Sequence, residues 1–96
     1  MTESDEIRFQ ASCLCQALVR NINQNFVSVS FEVLYDGTIL VRFGLSSRSQ
    51  IEEELIEDAI AEFSSMQEVD CIRAPEIRLW PFNDCLTNIV YRKKMN

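Results

Sequence analysis

Apolar residues recur along the chain with two periods, and the longer period predicts two helices. Over residues 4–23 and again over 51–66 they return every three or four positions, the spacing that places them on one side of an α-helix. These positions are Ile7, Ala11, Leu14, Cys15, Leu18 and Ile22 in the first helix and Ile51, Leu55, Ile56, Ala59, Ile60, Phe63 and Met66 in the second. Each helix therefore has one apolar side that must be covered.

Polar residues ahead of both segments predict where the helices begin. In a capping box, a hydroxyl residue and an acid or amide three positions later bond each other's backbone N–H groups. Such pairs are Thr2 with Asp5 before the first helix, and both Ser47 with Gln50 and Ser49 with Glu52 before the second. The sequence thus offers one start for the first helix and two overlapping starts for the second.

Between the helices, apolar residues occur at every second position on both sides of Asp36-Gly37, which predicts a β-hairpin. The residues of its apolar face are Val27, Val29, Phe31 and Val33 in one strand and Ile39, Val41, Phe43 and Leu45 in the other. A two-residue turn would place Arg42 opposite Phe31 on this buried face. A three-residue loop, 35–37, with its glycine in the left-handed conformation, places Val41 there instead. We therefore predict the three-residue loop, and we expect the opposite face to be mostly solvated.

Shorter patterns follow in the last third of the chain. Residues 76–80 lie between two prolines, and their side chains alternate with the two-residue period of a strand. This predicts a short strand at a sheet edge. Residues 86–92 are rich in strand formers, and 69–73 fit a short strand or an irregular connection. We predict one α+β domain over residues 1–96, with two layers in the order helix-strand-strand-helix-strand-strand. Its antiparallel sheet would carry both helices packed on one face.

Composition and charge exclude several classes of function. The chain has 15 acidic and 9 basic residues, a net charge of −6, so nucleic acids and anionic membranes would repel it. Its start does not resemble a signal peptide and no apolar run is long enough to cross a membrane, which favours the cytoplasm. With no histidine and two glycines, imidazole-based sites and glycine-rich phosphate loops are excluded. We expect no catalytic site and no cofactor.

Four cysteines allow two interpretations. They are Cys13, Cys15, Cys71 and Cys85. Free cysteine is often buried, whereas four thiolates could bind zinc or a pair could act in redox chemistry. Cys13 and Cys15 lie two positions apart in a predicted helix, about 200° around its axis, so their side chains diverge. We expect the cysteines to serve packing, with a thiol redox or zinc protein as the alternative, and assign no metal ligand.

The polar side of the second helix is densely acidic. Its acids are Glu52, Glu53, Glu54, Glu57, Asp58 and Glu62. Like charges four positions apart cost an isolated helix about 0.2–0.5 kcal/mol per pair, and no lysine or arginine lies within 51–66. Capping and the helix dipole explain the acids of the first turn, but not Glu57, Asp58 and Glu62. The face is either a solvated surface that favours solubility or a docking surface for a basic protein.

A docking surface of this kind predicts a small, acidic, non-catalytic binding protein. Its most concrete form is an immunity-type inhibitor of a bacterial toxin such as a nuclease, whose cleft is basic because it holds phosphate. The predicted partner-binding residues are Glu53, Glu54, Glu57, Asp58 and Glu62, with Trp80 and Phe82 as aromatic anchors unless these rings pack over the core edge. The alternative from another class is a homodimeric secretion chaperone or assembly subunit. The oligomeric state is left open between monomer and homodimer.

Overall fold

Two helices and four strands form within residues 2–81 and 84–94, the part of the chain that a computed structural model describes. The elements are helix α1 (Glu3–Leu18), strands β1 (Phe26–Val33) and β2 (Ile39–Leu45), helix α2 (Gln50–Ser65), and strands β3 (Glu76–Leu79) and β4 (Asn88–Arg92). The predicted order and the α+β class are confirmed. Neither described helix is long and apolar enough to span a membrane.

The sheet is mixed, so the prediction of a purely antiparallel sheet was wrong. Its strand order is β3-β2-β1-β4. β1 pairs antiparallel with β2 and β4, but β3 runs parallel to β2. The physical reason is that α2 connects these two strands as a crossover, which returns the chain to the end of the sheet where β2 began. β2, α2 and β3 are therefore a β-α-β unit, and an isolated parallel bridge between Ile39 and Ile72 lies just before β3.

The β1–β2 hairpin has the predicted loop and register. Val33 pairs with Ile39 and Phe31 with Val41, and Gly37 has a positive φ of 87°. Within the loop, the backbone N–H of Gly37 donates to the carbonyl of Leu34 at 2.9 Å. The three-residue loop is confirmed, because it is the one that keeps Arg42 off the buried face.

A bulge at the start of β1 changes one predicted core position. The register shifts between Phe26 and Ser28. Phe26 enters the core, where its ring packs edge-on against Phe43 with centroids 6.0 Å apart. Val27, predicted to point inward with Val29, instead lines a pocket with Trp80. Phe26 and Val27 are adjacent, and only one of them can point into the core at the bulge. The larger side chain, Phe26, takes that position.

Both helices begin as predicted, but α1 ends earlier than predicted. The Thr2 hydroxyl caps α1 by accepting from the N–H of Asp5 at 3.2 Å. Ser49, not Ser47, caps α2. α1 stops at Leu18 rather than near residue 23, and the buried Asn21 side chain then donates to the carbonyl of Ala17 at 2.8 Å. A side chain that bonds the last carbonyls replaces a further helical turn.

The core lies between the two helices and one face of the sheet. Its fully buried side chains are Leu14, Ala17, Phe26, Val29, Phe31, Ile39, Val41, Phe43, Leu45, Ala59 and Phe63. Two residues assigned to apolar sides fall outside it, because Cys15 is exposed and Ile51 is 63% exposed. The core therefore uses a narrower stripe of each helix than the periodicity indicated.

The other face of the sheet is partly covered, contrary to the prediction that it is mostly solvated. β3 and β4 lie at opposite edges, so the chain between them has to cross this face. The N–H of Leu86 donates to the hydroxyl of the buried Ser30 at 2.9 Å. Arg42, predicted to be solvated, donates to the carbonyl of Asp84 and pairs with Glu76, both within 3 Å. We call this side of the sheet the outer face.

Candidate functional site

Glu52 is a structural residue and does not belong to the acidic surface of α2. It is 2% exposed. One carboxylate oxygen accepts from the backbone N–H and the hydroxyl of Ser49 at 2.9 and 2.7 Å. The other accepts from the side-chain amides of Asn23 and Asn25 at 2.8 and 3.3 Å. The hydrogen bond from Asn23, then those from Ser49 and Asn25, lower the pKa of Glu52 to about 2 against the opposing effect of desolvation. The carboxylate thus ties the start of α2 to the segment before β1.

The other five acids of α2 are exposed and lie together. They are Glu53, Glu54, Glu57, Asp58 and Glu62. Residues four positions apart are neighbours on a helix surface, with Cβ atoms about 5–6 Å apart. Glu54, Asp58 and Glu62 therefore form one row, and Glu53 with Glu57 forms the next. We call these five residues the acidic face.

Few groups neutralise the acidic face. Arg48, just before the helix, pairs with Glu53 at 3.2 Å, and the Gln50 amide donates to Glu54 at 3.2 Å. The side chains of Glu57, Asp58 and Glu62 make no hydrogen bond or ion pair within residues 2–81 and 84–94. The three acids that capping could not explain are thus also the three without a partner in the described structure.

Trp80 lies in a different part of the molecule from the acidic face. It follows β3, and its backbone N–H donates to the backbone carbonyl of Leu45 at 2.7 Å. Its ring is on the outer face and lines a pocket beside Ser28 and Cys85, whereas α2 packs on the opposite layer. The structure therefore does not bring Trp80 together with the five acids. Phe82, the second proposed anchor, lies outside the described residues.

Three bases line the same pocket as Trp80, and the sequence did not indicate this combination. The pocket has a volume of about 400 Å³ and is also lined by Arg92, Lys93 and Lys94. Residues 73–96 hold five bases and two acids, which marked this end of the chain as basic. Trp80 follows β3 and the bases lie in or after β4, at the opposite edge of the sheet. Whether one pocket includes both therefore depends on the strand order. Periodicity alone does not determine that order.

The four cysteines occupy different environments. Cys13 is buried, Cys71 and Cys85 are half-buried and Cys15 is exposed, and all four are free. Desolvation and, less strongly, the negative charge of Glu6 raise the pKa of both Cys13 and Cys71. Protonated thiols are weak nucleophiles and weak metal ligands. Within the described chain, no group of three or more Cys, Asp or Glu residues is placed to hold a metal ion.

Comparison with known proteins adds no family to these observations. No protein-family model matches the sequence, and no curated protein is similar to it at a significant level. The acidic face and the pocket at Trp80 are therefore the features from which function has to be argued.

Proposed function

We propose that this protein is a small, acidic, non-catalytic binding protein that docks a basic surface of another protein onto the acidic face of α2. The observation that carries the proposal is the set of exposed carboxylates Glu57, Asp58 and Glu62, which form no ion pair within the described residues, although Arg20 shares a surface pocket with Glu62. A complementary basic surface would relieve their mutual repulsion, and such complementarity accelerates encounter and selects the partner.

The narrower form of the proposal is an immunity-type inhibitor of a bacterial nuclease toxin. A nuclease cleft is basic because it binds phosphates. Two adjacent rows of carboxylates on a rigid helix present negative charges at regular short intervals, and they would occupy such a cleft in place of the nucleic acid. This form of the proposal rests on charge and size, and it makes the partner's substrate a competitor for binding.

Apolar contact is also needed, since exposed ion pairs alone contribute little. Ile51 lies one turn before Glu54 and Leu55 on α2 and is 63% exposed. We include Ile51 as an apolar contact beside the acidic face. Trp80 remains a proposed anchor only for a partner large enough to reach the outer face.

A capture experiment with matched variants tests the proposal. The immobilised protein is exposed at low salt to a lysate of its source cells, and bound proteins are identified. The test variant E57Q/D58N/E62Q removes three charges from the acidic face. The control E3Q/E68Q/D70N removes three exposed charges of the same types elsewhere. We expect a basic protein to be captured by the wild type and by the control but not by the test variant.

Inhibition of the captured protein separates the narrow form of the proposal from the general form, and the capture result tests both. If the captured protein is a nuclease, the wild-type chain should inhibit its cleavage of nucleic acid and the test variant should not. Equal capture by both triple variants would contradict docking through the acidic face.

A homodimeric chaperone or assembly subunit is the second candidate, because β4 is an edge strand next to an apolar groove. β4 lies at the end of the sheet, and the groove between α1 and β4 is lined by Cys15, Leu18, Val19, Ile22, Val90 and Tyr91. Val19 is 75% exposed. Edge strands with exposed apolar neighbours favour pairing with another chain. Analytical ultracentrifugation separates the candidates: a stable dimer without partner supports this one, and a monomer supports the acidic binder.

A further inference from the structure

The nine basic residues of this acidic protein fall into three groups, of which Arg8 and Arg20, exposed on the helical layer, are one. Within the described residues, Arg42, Arg48, Arg73 and Arg78 form ion pairs with nearby carboxylates. Arg92, Lys93 and Lys94 form none, and all three line the pocket at Trp80. None of the described residues that line this pocket is acidic. Three cations therefore converge on one pocket of a protein whose net charge is −6.

Ser28 of β1 lines this pocket and lies opposite Gly44 of β2. A Cβ atom added at Gly44 would lie 2.5 Å from the Ser28 hydroxyl oxygen, so that hydroxyl would have to rotate away to admit a larger side chain at Gly44. Arg92 pairs with Ser28 from the other side, and cross-strand partners share a face of the sheet. Ser28 and Arg92 therefore line the pocket from adjacent strands.

Backbone contacts fix the walls of the pocket. The backbone N–H of Trp80 donates to the backbone carbonyl of Leu45 at 2.7 Å, and the residue is 41% exposed. Lys93 donates from Nζ to the carbonyl of Gln24 at 2.7 Å, which leaves two further N–H groups on that ammonium. A flat aromatic surface and several N–H donors thus face one space of about 400 Å³, within the size range of small-molecule sites.

We propose that this pocket, defined by Ser28, Trp80, Arg92, Lys93 and Lys94, binds a small anion that carries a planar ring, of the kind represented by a nucleoside monophosphate. The ring would pack on Trp80, since aromatic surfaces prefer stacked or edge-on partners. The anionic group would accept from Arg92, whose guanidinium presents paired donors, and from Lys94. A long polyanion is disfavoured because the rest of the protein is acidic.

Trp80 also supplies the readout, because it is the only tryptophan. Its fluorescence and the amide NMR spectrum are followed during titration with AMP, with adenosine and with inorganic phosphate. We expect AMP to bind more tightly than either of its parts. The variant R92Q/K94Q should weaken AMP binding by at least about tenfold, because it removes two charged donors and tenfold corresponds to the loss of one charge-assisted hydrogen bond. The control R8Q/R20Q removes two exposed charges from the helical layer and should bind AMP as the wild type does.

Three outcomes would overturn the assignment. The first is no change in fluorescence or amide shifts up to about 10 mM AMP, roughly tenfold above a Kd of about 1 mM, which already corresponds to weak binding. The second is equal affinity for AMP and phosphate, which would remove the role of the ring. The third is equal loss of binding in R92Q/K94Q and R8Q/R20Q, which would mean that general charge and not the pocket attracts the anion.

Discussion

At the scale of single residues, similar side chains in adjacent positions have different roles. Glu52 and Glu53 follow each other in the first turn of α2, yet one is buried with four hydrogen bonds and the other is exposed beside Arg48. The capping pattern predicted the bond of Glu52 to Ser49. It did not predict the hydrogen bonds from Asn23 and Asn25 to Glu52, because only the tertiary fold brings the segment before β1 near the start of α2.

The buried carboxylate of Glu52 predicts a specific pH dependence of stability. Its pKa is lowered from 4.5 to about 2 by its hydrogen bonds. A carboxyl with a depressed pKa stabilises the fold above its unfolded-state pKa, and this contribution is lost as the pH falls towards the folded-state value. In urea denaturation, the free energy of unfolding of the wild type should therefore fall between pH 5 and pH 2, roughly the window set by these two values. E52Q should be less stable at neutral pH and show a shallower fall.

E53Q is the matched control for this measurement, since it removes the neighbouring exposed charge. It should retain the pH dependence of the wild type. If E52Q and the wild type lose stability in parallel over the same pH range, the role assigned to the Glu52 hydrogen bonds is incorrect.

Gly44 lies close to a hydroxyl group, and its backbone conformation does not require glycine. An added Cβ would lie 2.5 Å from the Ser28 hydroxyl oxygen, and φ at Gly44 is not positive. G44A should therefore destabilise the protein by about 1 kcal/mol, the low end of the usual cost of overpacking, because the hydroxyl can rotate away. In S28A/G44A the hydroxyl is absent, so part of this loss should be recovered. Thermal or urea unfolding of the four forms of this double-mutant cycle measures the coupling, and additive losses would contradict the steric explanation.

At the scale of elements, the helices and the hairpin could be predicted from the sequence, but their arrangement could not. Periodicity identified α1, α2 and the hairpin, and the position of Arg42 selected the correct loop. The direction of β3 is set by the crossover through α2, and Val27 is displaced by a bulge next to Phe26. Neither effect leaves a pattern in the local sequence, since each depends on how elements pack together.

The apolar side of α2 offers a test at this scale. The period assigned both Ile51 and Phe63 to that side, but only Phe63 is buried. F63A should cost about 3–5 kcal/mol, as expected for a large side chain removed from a core. I51A should change stability by about 0.5 kcal/mol or less. Urea denaturation of the two variants provides the comparison, and similar losses would mean that α2 is rotated relative to the structure described above.

At the scale of the whole molecule, negative and positive charges are separated. The acidic face lies on the helical layer, and the bases at Trp80 lie on the outer face. The sequence indicated both charge groups but not that Trp80 lines a pocket with the bases, because strand order decides which residues become neighbours. The acids of α2 were recognisable in advance because their surface position follows from one helix. The pocket at Trp80 was not, because it is assembled from β1, β4, the residues between β3 and β4, and the residues after β4.

The association rate between the protein and its captured basic partner tests the central proposal most directly. It should be measured over a range of salt concentrations for the wild type, for E57Q/D58N/E62Q and for E3Q/E68Q/D70N. If the acidic face steers the partner, the wild type and the control should associate quickly at low salt and slow steeply as salt rises, while the test variant should associate more slowly and depend less on salt. Equal rates and equal salt dependence for the two triple variants would contradict the proposal.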